Sequence, residues 1–440
     1  MAPSQSQPID VQRFLTREGK DLSYGQLRKL LVDFTSIPGV IGLHGGLPPG
    51  DAFPLASLSY TTVEGDKVSL DDAQLYAAQQ YVLPSAGLPA LREWSRQHVI
   101  DLHAPARPDV ETVIVAGATQ GLSAFFSLFL ERGDVLFVEE VSYSQVTEAL
   151  AIPKGVRVLP VPMDADGALP EALDAAIAEL AEREPGTRVK ALYTIPTCQN
   201  PTGLTTPAAR RQALYQVCRR RDILILEDDP YIYLQLPARD GAPVPGLRGL
   251  PRNTSYLHLD TDGRVFRIDS CAKFLAPGVR AGWVTVAPAL VEPLSMALQA
   301  QTLGPCALSQ VLTHSLLARW GEEGLHVHLE RIQRIYLARL QTLLAAAERH
   351  LAGLATWRRP SGGMFLWITV PGLEDTRQLM SDLVEARVVA PPGGIFHPTP
   401  GTKNSHIRLA FSFEPADKIE QAIERLGRAL RAWKERTSAQ

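Results

Sequence analysis

Residues 265–283 read VFRIDSCAKFLAPGVRAGW. Val265 to Ile268 is a short run rich in β-branched and aromatic residues, of the length expected for a strand buried on both faces. The run ends at Ser270-Cys271-Ala272-Lys273. A lysine just past a strand, on a mostly apolar stretch, is partly desolvated, and desolvation lowers an amine's pKa toward what a nucleophile needs. Ser270 and Arg280 bracket it, and a hydroxyl with a planar guanidinium suits a phosphate.

The same pattern of strand followed by polar turn repeats outward from this segment. Strands are expected at Val113 to Val115, Val135 to Val138, Val156 to Val161, Ala191 to Ile195 and Ile223 to Leu226, with amphipathic stretches between several of them. Alternation of this kind predicts an α/β fold, a doubly wound and mainly parallel sheet. Such sheets bind ligands beyond the carboxyl ends of their strands. Ala116-Gly117-Ala118-Thr119-Gln120-Gly121-Leu122 follows the first strand and opens a helix, whose free N–H groups at Ala118 and Thr119 would favour an anion. Read as an ordinary turn, the same loop would use Thr119 as the helix cap. Pro196 to Gly203 (PTCQNPTG) places Asn200 in a dense turn. Glu227-Asp228-Asp229-Pro230-Tyr231 sets three carboxylates at the rim, a costly cluster that calls for a cationic partner, and a protonated pyridine nitrogen is expected to be that partner.

The 440 residues suit a large domain with a smaller companion. The expected division is an arm and part of a small domain over residues 1–55, a large domain over 56–325 and the rest of a small α+β domain over 326–440. Apolar residues at 45% and charged residues at 21% exclude disordered and disulfide-scaffold classes. A net charge of -3 offers no broad field for nucleic acid or anionic lipid, so neither is expected as a partner. Cys198, Cys218, Cys271 and Cys306 form no CxxC pair, no metal site is expected, and the lack of a signal-like N-terminus points to the cytoplasm. No internal repeat is evident. Gly241 to Pro251 reads as a surface loop and Arg436 to Gln440 as a frayed end.

Taken together, these segments resemble the fold type I, class I/II aminotransferases that depend on pyridoxal phosphate, most like the kynurenine/2-aminoadipate and fungal aromatic enzymes. The resemblance runs from about Ile41 to the end of the chain. It implies that Lys273 holds the cofactor as a Schiff base, that Asp228 pairs with its pyridine nitrogen, and that Asn200 and Tyr231 bond its phenolic oxygen. Tyr143 would stack on the ring. Ser270, Arg280 and the Ala118 and Thr119 amides would hold the phosphate, with Tyr81 contributed by a neighbouring subunit of a homodimer that shares its active sites. Arg408 would grip the substrate α-carboxylate beside Gly45 and Gly46. Gly362-Gly363-Met364-Phe365-Leu366-Trp367 is a recognisable block, read mainly as packing.

Relatives often read Ser-Phe-Ser-Lys at the lysine, whereas this chain has Cys271 and Ala272 in the middle positions, and Ala118 stands where some carry serine. A lost hydroxyl contact to a charged group costs about 1.5–3 kcal/mol unless water or Thr119 substitutes. Pro8 to Phe34 does not match the usual N-terminal lid, which leaves the amino donor open. The implied reaction is ping-pong transfer of an α-amino group from an aromatic or 2-aminoadipate-like amino acid to a 2-oxo acid. Expulsion of a β-substituent, a C–S lyase activity, remains the alternative, with Arg408 favouring transfer. A cofactor-sensing regulator is disfavoured, because only about forty residues precede the resemblance and they carry no helix-turn-helix signal.

Overall fold

In the computed structural model the chain is described over residues 8–438 other than 36, 40, 42, 44 and 45. Seven strands of mixed, mainly parallel sheet are present: β1 Glu111–Val115, β2 Val135–Glu139, β3 Arg157–Val161, β4 Val189–Thr194, β5 Leu224–Asp228, β6 Val265–Ser270 and β7 Gly282–Val286. Six match the expected runs; β7 was not expected. The helices that matter for function are α1 Pro89–His103, α2 Ala118–Phe129, α3 Pro170–Arg183, α4 Ala208–Arg220 and α5 Val291–Thr302. Further on come α6 Ala307–His350, interrupted at Gly321, and α7 Ala416–Ser438, with short strands β8 Thr356–Trp357, β9 Phe365–Thr369 and β10 His406–Ala410. No described helix is long and apolar enough to cross a membrane.

The chain divides into two compact units. Unit one holds the described residues up to Glu131 together with Leu224–Pro230 and Pro251–Leu325. Its strands lie in the order β1, β7, β6, β5, with β6 parallel to β5 and β7 antiparallel to both β6 and β1. Every residue of β5, β6 and β7 is buried, which is why these strands read as near-continuous runs and not as alternation. Helix α2 covers one face, where a side chain on Gly121 would meet Val284 and Ile268 at 3.1 and 3.3 Å. On the other, α1 sets Trp94 edge-on to Trp283 at 6.0 Å.

Unit two holds Arg132–Ile223, Tyr231–Leu250 and His326–Gln440, described as far as Ser438. Strands β4, β2 and β3 run parallel, with α3 and α4 packed together. Strands β8, β9 and β10 form an antiparallel sheet whose inner face, including Leu366, Ile368, Ile407 and Leu409, joins a core with α6 and α7. Helix α7 supplies Ile419, Ile423, Leu426 and Leu430, spaced along one helical stripe. Burying each of these side chains is worth roughly 1.5–3 kcal/mol.

Two local expectations are corrected. Helix α7 continues through Ser438, so the terminus expected to fray from Arg436 is helical that far. The stretch Gly241 to Pro251 is not simply a surface loop, because Val244, Leu247 and Leu250 are buried and the Gly246 N–H donates to Gln333 Oε1 at 2.7 Å.

Candidate active site

In unit one the strand register gathers the sequence motifs at one edge. Gly282, at the start of β7, pairs with Ser270 at the end of β6 and with Val115 at the end of β1. Ile268 pairs with Asp228, the last residue of β5. The turns after β1 and β6 therefore emerge side by side, and Arg280 stands just before β7. Gly117, with φ 82 and ψ 167, caps α2 without any side-chain bond, so Thr119 does not act as the cap. The first N–H groups of α2 are thus left for an anion. Arg280 reaches back across this loop, its Nη2 donating to the Ala116 carbonyl at 2.9 Å. A Cβ on Gly117 would stand only 2.7 Å from that Nη2, so the cradle is kept open by the absence of a side chain. Ser270 Oγ accepts from the Ala272 N–H at 3.2 Å, which leaves its own proton to donate elsewhere. Helix amides, a hydroxyl and a guanidinium at one edge fit a phosphate group.

Lys273 is half-buried in the turn after β6. Burial lowers its amine below the usual lysine range and Arg280 adds to this, while the negative charge of Asp228 opposes both. Asp228 itself is 3% exposed. The acidic cluster also has a cationic partner inside the protein, which was not expected. Arg267, fully buried, bonds Glu227 at 2.9 Å and Asp229 at 3.0 Å, so two of the three carboxylates find a shared cationic partner within the protein. Asp228, between these two, is the residue of the cluster that the resemblance assigns to a pyridine nitrogen. Tyr81 is exposed, as is Gly46, and Gly45 lies outside the described residues.

Unit two carries the other expected residues. Arg408 on β10 lies between two aromatic faces, its Cζ 4.2 Å from the Phe365 ring centre and 4.6 Å from that of Phe396. Its Nη1 donates to Asn200 Oδ1 at 2.8 Å, while its buried Nε meets no acceptor among the described residues. A guanidinium only donates, so this bond fixes which end of the Asn200 amide is oxygen and leaves the NH₂ to face an acceptor. Burial lowers the Arg408 pKa, opposed by Tyr231 and Tyr143. Tyr231 meets Phe365 edge-on at 6.2 Å. Tyr143 stands one residue before Ser144, the cap of a π-helical turn at Gln145–Ala151, and the N–H of its neighbour Ser142 donates to the Phe396 carbonyl at 2.8 Å.

The Gly362–Trp367 block is therefore more than packing, since Phe365 forms one wall of the Arg408 slot. Phe396 forms the other and was not anticipated. Neither was the support beneath Asn200: Gln199 Nε2 donates to Glu139 Oε2 at 3.0 Å and to the Val141 carbonyl at 2.6 Å, while Thr194 donates to Glu139 Oε1 at 2.7 Å. Burial pushes Glu139 up to about 7 against these donors. A cavity of about 570 Å³, walled in part by Trp357, Trp367, His406 and Thr202, contains none of the expected site residues.

Comparison with known proteins agrees with this chemistry. The profile of the family described as Aminotransferase class I and II matches residues 77–426. The mitochondrial kynurenine/alpha-aminoadipate aminotransferase of Mus musculus is 32% identical over 436 residues, spanning 96% of this chain and 99% of the mouse protein. An aromatic amino acid aminotransferase of Schizosaccharomyces pombe is 30% identical over 454 residues, covering 94% of this chain and 96% of its own length. Among solved structures, the aminotransferase Aro8 from Candida albicans superposes with a TM-score of 0.86 at 28% identity, covering 97% of this chain and 99% of that one. The chain belongs to the class I and II aminotransferases and is a pyridoxal-phosphate-dependent aminotransferase.

Proposed function

We propose that the amino donor is an aromatic or 2-aminoadipate-like amino acid, the acceptor a 2-oxo acid, and that Lys273, Asp228, Ala118, Thr119, Ser270, Arg280, Tyr143, Asn200, Tyr231 and Arg408 together serve the two half-reactions. The observation that carries this reading is Arg408, held between Phe365 and Phe396 and bonded to Asn200 at 2.8 Å. A guanidinium so placed is a bidentate grip for an α-carboxylate, and its aromatic walls suit an apolar or aromatic side chain. The names of the mouse and fission yeast relatives favour the same donors.

When bound, pyridoxal phosphate supplies an electron sink for the electrons of a broken Cα–H bond. Ser270, Arg280 and the first amides of α2 would hold its phosphate, Lys273 would join it covalently, and Asp228 would keep the pyridine nitrogen protonated. Asn200, through its NH₂, and Tyr231 would donate to the phenolic oxygen, and Tyr143 would cover the ring face. Arg408 would hold the substrate by its α-carboxylate, and the Lys273 amine, whose pKa burial lowers, would take up the Cα proton and return it. Gly45 and Gly46 would line the carboxylate loop. In this reading the large domain spans residues 56–325, the small domain joins 326–440 to the arm at 1–55, and the enzyme is a cytoplasmic homodimer in which Tyr81 reaches the partner's phosphate.

The purified protein incubated with phenylalanine, tyrosine, kynurenine or 2-aminoadipate, with and without 2-oxoglutarate, tests this directly by mass analysis of products. Glutamate together with the matching 2-oxo acid is expected, and only when acceptor is present. Ammonia with no glutamate would make the enzyme a lyase instead.

A further inference from the structure

We infer that Arg267 is a positioning residue for the reaction, holding Glu227 and Asp229 so that Asp228 between them is fixed toward the cofactor's ring nitrogen. The inference rests on the functional reading above. One guanidinium nitrogen, Nη1, donates to Glu227 Oε1 at 2.9 Å and to Asp229 Oδ2 at 3.0 Å. The remaining two, Nε and Nη2, take Asp269 at 2.9 and 2.7 Å. Ser255 Oγ and the Tyr256 N–H also hold Glu227, at 2.7 and 3.2 Å. The Asp229 N–H donates to the Ile268 carbonyl at 3.0 Å.

Alternation along a strand turns this clamp into a statement about Asp228. Residues 227 and 229 point to the face where Arg267 and Asp269 lie, so Asp228 must project from the opposite one. That is the face of Ile268, its register partner, which α2 covers with the anion-binding N-terminus at its end. The sheet thus separates two functions: a buried ionic cluster behind, and the candidate cofactor edge in front. Gripping both neighbours of Asp228 with one nitrogen fixes the backbone on either side of it.

A purely structural role accounts poorly for this arrangement. Arg267 shows 0% exposure, and Glu227, Asp229 and Asp269 are almost as deeply enclosed, so three acids share one buried guanidinium. Well-packed apolar residues would commonly stabilise a core at least as well as buried ions. His98, stacked on Trp94 and edge-on to Trp283, faces the cluster from α1 and is held neutral by burial and by the charges of Arg267 and Arg252, so it adds no compensating cation. What Arg267 supplies beyond charge is a rigid fork with several donors in one plane.

Arg267→Lys is the decisive variant, because it keeps the charge and loses the fork. The holoenzymes of wild type, Arg267→Lys and Arg267→Met are loaded with ring-¹⁵N-labelled pyridoxal phosphate, and the ring-nitrogen signal is followed across pH. Positioning predicts that the titration midpoint falls by about one unit or more in the lysine variant, a tenfold loss of protonated ring at a fixed alkaline pH. The methionine variant should fall further. Pure electrostatics predicts the opposite for methionine, since removing a cation leaves the region more negative and favours the ring proton, and no change for lysine. Cofactor affinity should change less, because the phosphate contacts lie on other residues. A folded lysine variant with an unshifted or raised midpoint overturns the inference; should the methionine variant not fold, the lysine variant decides alone. A wild-type protein that takes up no label at Lys273 would instead defeat the functional reading.

Discussion

Replacing Gly117 with alanine brings two separable costs. At φ 82 and ψ 167 the residue occupies a region open essentially to glycine, and an L side chain there is strained by about 1–3 kcal/mol. The new methyl group would also stand 2.7 Å from Arg280 Nη2 and 3.1 Å from its Cζ. Arg280 is the end of a flexible side chain and can move aside, but moving breaks its 2.9 Å bond to the Ala116 carbonyl and takes the guanidinium off the phosphate cradle. Losing a hydrogen bond to a charged group costs about 1.5–3 kcal/mol, which weakens pyridoxal phosphate binding about ten- to a hundredfold. Absorbance titration of the apoprotein measures this, with Arg280→Ala and the double variant completing a cycle. If both changes act through the guanidinium, Gly117→Ala should add little to the dissociation constant once Arg280 is gone, while its thermal destabilisation persists in both backgrounds. Strictly additive affinity losses, or a folded Gly117→Ala protein binding cofactor like wild type, would refute the reasoning.

The remaining predictions concern unit two. Arg408→Met should raise KM for amino acids by about thirtyfold or more, the cost of about 2–5 kcal/mol for losing one member of a buried charge pair, while cofactor affinity stays close to wild type because the phosphate contacts lie on other residues; steady-state kinetics beside an absorbance titration with pyridoxal phosphate checks both halves. Phe396→Leu opens one wall of the same slot and should raise KM about two- to thirtyfold, the range of a cation–π contact. Glu139 gives a pH dependence of stability. Its folded pKa is about 7 against 4.5 for an ordinary glutamate, so between those values the unfolded chain has lost a proton that the folded protein retains. Stability should therefore fall as pH rises from 4.5 to 7, by up to about 3 kcal/mol, and urea unfolding at pH 5 and pH 8 should show a flatter dependence in Glu139→Gln. An equal slope in the two proteins would contradict this.

Much of the fold was legible because the central strands are buried on both faces, so Val135 to Val138 or Ile223 to Leu226 could be read as short apolar runs ending in polar turns. Strand β7 was missed because Gly282 and Trp283 directly follow the lysine motif and were absorbed into it. The role of Arg267 was written in the period-two spacing of Arg267 with Asp269 and of Glu227 with Asp229, which puts like-facing charges on adjacent strands. That signal yields a contact only once the strands are known to be neighbours. Nothing local marks Phe365 and Phe396 as walls for Arg408, since their convergence depends on the β9–β10 register and on a loop with no periodicity. The Asn200 loop was visible as a motif, but its support by Glu139 joins residues 60 positions apart.

The claim on which all else depends is that the Lys273 amine joins pyridoxal phosphate. Reconstituted enzyme should be yellow, and after reduction with borohydride, proteolysis and mass spectrometry the phosphopyridoxyl adduct should sit on Lys273 and be absent from Lys273→Ala. A colourless protein, or an adduct on some other lysine with 273 unmodified, would contradict it.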